Sequence, residues 1–81
     1  MKSKEYTEAA ECYTKSIEIF PNEAATYSNR ALAYLKVKKN ASCIVDANRC
    51  LELDPTFLKA YHRRGKAYQA AQQYEEAIKD Y

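Results

Sequence analysis

Eighty-one residues, 47% apolar and 30% charged, make one small folded unit, too short for two domains and too apolar for a disordered chain. One glycine and two prolines exclude long loops and predict a chain that is nearly all helix. A net charge of +2 is too small to mark a general nucleic-acid binder; with no run of about 18 apolar residues for a membrane span or signal core, a cytoplasmic, non-membrane setting is the default.

Met1 to Lys4 is a short basic lead. From Glu5 to Phe20, Tyr6, Ala9, Ala10, Tyr13, Ser16 and Ile17 recur at intervals of three and one, which describes a single helical stripe. Pro21 ends it, because proline has no backbone N–H and disfavours helix in the residue before it. Asn22 is then placed to cap a second helix, with Glu23 in the first turn where negative charge suits the helix dipole. That helix carries Tyr27, Ala31 and Tyr34 and runs to about Lys36, and Lys38, Lys39 and Asn40 form the turn after it.

From Asn40 the first stripe returns as Asn40, Cys43, Ile44, Ala47, Cys50 and Leu51, each 34 residues after its counterpart, and Pro55 stops it as Pro21 did. The period is internal to the chain. It also explains the cysteines: Cys12, Cys43 and Cys50 lack metal-ligand or CxxC spacing, and Cys43 and Cys50 align with Ala9 and Ser16, so they read as small core residues. Thr56 is expected to cap the next helix, which continues to about Ala71. Tyr74, Ala77, Ile78 and Tyr81 then begin the stripe a third time.

The stretch Leu58 to Tyr68 has two faces. Tyr61, Arg64, Gly65 and Tyr68 fall on one at i, i+3, i+4 and i+7, while Lys59, Arg63 and Lys66 fall on another. Thirty-four residues earlier the packing face recurs as Tyr27, Arg30, Ala31 and Tyr34, but Asn29 stands where Arg63 does. The packing is repeated and the charge is not: four formal positive charges lie between Lys59 and Lys66. Across the groove, Ala25, Ser28, Asn29, Leu32 and Lys36 are the matching positions away from the packing face. Guanidinium, ammonium and amide groups around one groove suit an extended ligand that carries carboxylates.

A 34-residue unit of two helices with Tyr, small, Tyr, Ala and Pro at these positions resembles the tetratricopeptide repeat across essentially the whole chain. The resemblance implies an all-α helix-turn-helix solenoid of about two and a half repeats. Residues 1–21 would be the second helix of repeat one, 22–55 a complete repeat two, and 56–81 the first helix and start of the second helix of repeat three. Two departures are visible: the turn position where the family usually has glycine holds Lys4, Lys38 and Gln72, and Asn40 replaces the usual aromatic residue. Each repeat buries its apolar face only against a neighbour, so the chain is expected to be an excerpt of a longer protein, or its open ends to pair with another copy.

The strings Tyr27-Ser28-Asn29-Arg30-Ala31 and Lys59-Ala60-Tyr61-His62-Arg63-Arg64-Gly65 resemble the carboxylate-clamp subclass of co-chaperones, whose partners are heat-shock chaperones ending in Glu-Glu-Val-Asp. The resemblance implies that Asn29, Lys59 and Arg63 are three of the clamp's five polar members; Lys36 and Lys66, from the groove-facing positions of the same helices, complete the candidate peptide-binding set. The other two clamp members belong to a preceding helix, in a Lys-x-x-x-Asn arrangement that this chain lacks. Two readings from other classes stand beside it: a structural repeat scaffold that self-associates without a peptide ligand, and RNA binding through residues 59–66, which a short patch without flanking exposed aromatics supports weakly. Catalysis and cofactors find no support, for there is no glycine-rich phosphate loop, no paired nucleophile and base, and no carboxylate pair on an apolar face.

Overall fold

The computed structural model describes residues 3–79, with side-chain surroundings for residues 4–72. It contains four helices, α1 (Ser3–Ile19), α2 (Ala24–Lys36), α3 (Asn40–Leu53) and α4 (Leu58–Lys79). Each packs against the next, and α2 also meets α4. The result is an all-α hairpin stack in which α2 and α4 wall a common groove.

The interior is built from small residues. Ala31, Cys43, Ala47, Cys50, Ala60 and Ala67 are all fully buried, joined by Tyr27 and Leu51, with Ile17, Tyr34, Leu35, Ile44 and Phe57 packed around them. Small side chains at the crossings let helix axes approach closely, and the larger residues fill the grooves between. The cysteines take the places expected of Cys43 and Cys50, while Cys12 is exposed, and all three are free thiols. Burial pushes the Cys43 thiol up to about 11 and raises Cys50 as well, so both stay protonated near neutrality.

The period is visible in bonds as well as in residue types. Tyr27 donates its hydroxyl to the Pro21 carbonyl at 2.8 Å, and Tyr61 does the same to Pro55 at 3.0 Å. Arg30 Nη1 donates to Thr14 Oγ1 at 3.1 Å, and Arg64 Nη1 donates to Asn48 Oδ1 at 2.8 Å, the partners again 34 residues apart. Each tyrosine ties its helix to the proline turn before it, and each arginine ties it to the preceding helix.

Several local expectations are corrected. α2 begins at Ala24 with Glu23 as its N-cap, not Asn22: the Thr26 amide donates to the Glu23 carbonyl at 3.2 Å, which fixes the first turn one residue later. Thr56 is likewise not a cap. The Asp54 carboxylate accepts both the Thr56 amide at 3.0 Å and its hydroxyl at 2.7 Å, closing an Asx turn before α4 starts at Leu58. These bonds hold Asp54 below its ordinary carboxylate range.

The turn expected near Gln72 is absent, and α4 runs unbroken to Lys79. Its sequence there, from Ala70 through Gln73, consists of good helix formers without a breaker. The stripe from Tyr74 to Tyr81 lies outside the residues whose side chains are described. Tyr61 and Tyr68, read as core from their register, are 45% and 55% exposed. Among the described residues the face they share with Gly65 is uncovered, and a Cβ at Gly65 would meet nothing within 4 Å.

The α2–α3 turn does use the glycine position. Lys38 has φ 64, a left-handed conformation, while the amides of Lys38 and Lys39 bond back to Leu35 at 3.1 Å and Tyr34 at 2.9 Å. A Cβ in this region costs energy that glycine avoids. Lys38→Gly should therefore raise stability by about 0.5 to 1 kcal/mol, read as a higher urea midpoint; an unchanged or lower midpoint would show that the lysine side chain offsets its backbone strain.

Candidate functional site

The cationic residues converge between α2 and α4 in an open groove of about 340 Å³. Half-buried Leu32 and Leu35 supply its apolar part, Lys36 comes from the same helix, and Lys59, His62, Arg63 and Lys66 come from α4. Lys59, Arg63 and Lys66 share a face at i, i+4 and i+7, so one rigid helix presents three of the charges. Four of the five expected site residues, Lys36, Lys59, Arg63 and Lys66, therefore line one groove. Asn29 is exposed on the same face of α2, one turn before Leu32, outside the groove's lining.

Ser28 departs from its expected place. It is fully buried rather than facing the groove, and it receives Arg63: Nη1 donates to the Ser28 carbonyl and to its Oγ, each at 2.7 Å. Burial lowers the Arg63 pKa from its ordinary value, and no carboxylate among the described residues pairs with it. The guanidinium is thus held on one side by a serine while its charge is only partly compensated.

Arg30 shows what a completed version of this arrangement looks like. Its Nη1 rests on the Thr14 hydroxyl, while Nε and Nη2 grip the two oxygens of Asp46, each at 2.7 Å. Asp46 raises the Arg30 pKa through that bond, and Tyr27 and Tyr34 flank the guanidinium at 5.9 and 5.7 Å from their ring centres. Arg63 has the hydroxyl seat, but no acceptor among the described residues meets its Nε or Nη2. Nε and Nη2 form the edge that matches a carboxylate bidentately.

Arg64 reads as the structural member of its pair: half-buried, it bonds Asn48 and stacks 5.2 Å from the Tyr61 ring centre. His62 is exposed at the groove's edge. A larger concavity of about 560 Å³ lies on the uncovered face of α4 around Tyr61, Gly65 and Tyr68, but its one lysine, Lys66, gives it little of the anion chemistry of the groove. No helix among the described residues is long and apolar enough to cross a membrane.

Family profiles agree with this architecture. One described as a TPR repeat matches residues 1–38, and two described as tetratricopeptide repeats match residues 24–57 and 47–79. Among solved structures, the second TPR of Spaghetti (RPAP3), bound to the HSP90 peptide SRMEEVD, is 37% identical with a TM-score of 0.81, covering 93% of this chain and 69% of that one. The chain belongs to the tetratricopeptide-repeat family. The first TPR of Spaghetti, with the same peptide, is 43% identical with a TM-score of 0.83, over 95% of this chain and 61% of that one. The Hsp70-Hsp90 organizing protein of Triticum aestivum is 40% identical over 80 residues, 99% of this chain. The chain spans only 14% of that relative's length, and 23% of a small glutamine-rich tetratricopeptide repeat-containing protein from Mycosarcoma maydis.

Proposed function

We propose that this chain is a protein-interaction module of co-chaperone type that binds the C-terminal Glu-Glu-Val-Asp peptide of heat-shock chaperones in the α2–α4 groove. The observation that carries the reading is the open Nε–Nη2 edge of Arg63, half-buried and without a carboxylate partner among the described residues. Lys59, Lys36 and Lys66 add point charges around it, and Leu32 and Leu35 offer an apolar surface for the valine of such a peptide. The relatives named above include a chaperone-organizing protein and repeat domains solved with an HSP90 peptide, which supports the choice of ligand. In this reading α1 is the second helix of one repeat, α2 and α3 form the next, and α4 opens a third. The module has no catalytic role of its own and works in the cytoplasm.

Binding through exposed lysines and a half-exposed arginine is screened by salt. Titration with a Glu-Glu-Val-Asp peptide should give an affinity that falls roughly tenfold between low and high salt, at about 50 and 500 mM. An affinity that does not change with salt would contradict the proposed contacts. A second reading, a scaffold that self-associates, draws on the uncovered face of α4 around Tyr61 and Tyr68; it predicts a mass that rises with concentration and no response to peptide.

A further inference from the structure

Arg63 is one of the longest and most flexible side-chain types, and its usefulness to a ligand depends on which donors face outward. In this chain that choice is made by a residue that does not line the groove. Ser28 is fully buried, and both its hydroxyl and its main-chain carbonyl accept from a single nitrogen of Arg63, Nη1, at 2.7 Å. The fork opposite that nitrogen, Nε and Nη2, meets no acceptor among the described residues.

The structure assigns Ser28 as the positioning residue of the clamp: its hydroxyl and carbonyl seat Nη1 of Arg63 so that the Nε–Nη2 edge is preset to receive one ligand carboxylate bidentately. This rests on the proposed reading of the groove and goes further, naming the residue that sets the geometry and the edge that is used. The chain supplies its own precedent in Arg30, where a hydroxyl holds Nη1 and a carboxylate fills Nε and Nη2 at 2.7 Å. Thr14 and Asp46 play for Arg30 the parts that Ser28 and a ligand carboxylate play for Arg63. Fixing the fork before binding removes side-chain entropy that the ligand would otherwise have to overcome. The cost is carried by the fold, which buries a polar residue whose hydroxyl is satisfied only while Arg63 stays in place.

Ser28→Ala removes the hydroxyl without adding volume and leaves the carbonyl, so it tests the seat with little disturbance of packing. Titrated with the Glu-Glu-Val-Asp peptide, S28A should bind roughly tenfold more weakly than the wild type. Arg63→Lys has no fork to aim, so S28A added to R63K should change affinity by no more than about twofold. A full tenfold loss in both backgrounds, or none in the wild-type background, overturns the assignment. Nitrogen-15 spectra of the Arg63 side chain, recorded without peptide, keep the two proposals apart. Distinct, slowly exchanging Nη signals in the wild type that average in S28A support the seat; identical signals in both chains overturn it, even if no peptide binds and the clamp reading falls.

Discussion

Asp46→Ala should cost about 3 to 5 kcal/mol and leave little cooperative structure, the largest effect expected of any single substitution here. The Asp46 and Arg30 side chains are 4% and 17% exposed and share two 2.7 Å bonds. Removing the carboxylate leaves a guanidinium enclosed between Tyr27, Tyr34 and Thr14 with only a hydroxyl for company. Small domains of this size have few kcal/mol to lose. Arg49 and Glu52 provide the internal contrast, an exposed pair three residues apart at 3.0 Å; Glu52→Ala should leave the urea midpoint essentially where it is. Urea unfolding followed by circular dichroism reads both. An Asp46→Ala chain within about 1 kcal/mol of wild type would mean that the pair is not what joins α2 to α3.

The second large effect is on binding. Replacing Lys59 and Arg63 together by Ala should weaken binding of the Glu-Glu-Val-Asp peptide by more than about a hundredfold, since each charge-assisted bond contributes about 1.5 to 3 kcal/mol. Lys59 is exposed, so its removal leaves the melt where it was. Arg63 is half-buried and satisfies Ser28, so the Arg63 change should also lower stability by about 1 kcal/mol. Arg63→Lys should not restore affinity, because an ammonium cannot reproduce the Nε–Nη2 fork. Asn29→Ala, outside the groove's lining, should have the smaller effect. Undiminished binding by the double variant would remove α4 from the site.

The fold was legible because the 34-residue period writes each structural device twice. Pro21 and Pro55 end helices in the same way and receive a tyrosine hydroxyl in the same way. Cys43 and Cys50 could be placed in the core because their repeat partners are small residues. The grouping of the candidate site residues was legible in part, since the i, i+4, i+7 spacing of Lys59, Arg63 and Lys66 already puts them on one side of a helix. What could not be read were contacts between helices that do not follow the period. Ser28 and Arg63 are partners at a separation of 35 residues with no repeated counterpart, so register gave no hint that the serine is buried. Asp46 has Cys12 as its counterpart 34 residues earlier, so the period carries no sign of a partner, and only the packing of α2 on α3 brings it to Arg30. The tyrosines of α4 erred in the other direction: their register matches Tyr27 and Tyr34, but among the described residues no helix covers the face of α4 that carries them.

The most direct test of the account titrates this chain with a peptide ending in Glu-Glu-Val-Asp and with the same peptide amidated at its C-terminus, following molecular mass by light scattering in the same samples. On the proposed reading the cationic residues that line the groove receive carboxylates, so weak binding that disappears on amidation, with a mass that stays monomeric, is the predicted result. Equal binding of the two peptides, or binding of neither by a dimer or larger species, would contradict it and leave the chain as a self-associating repeat scaffold.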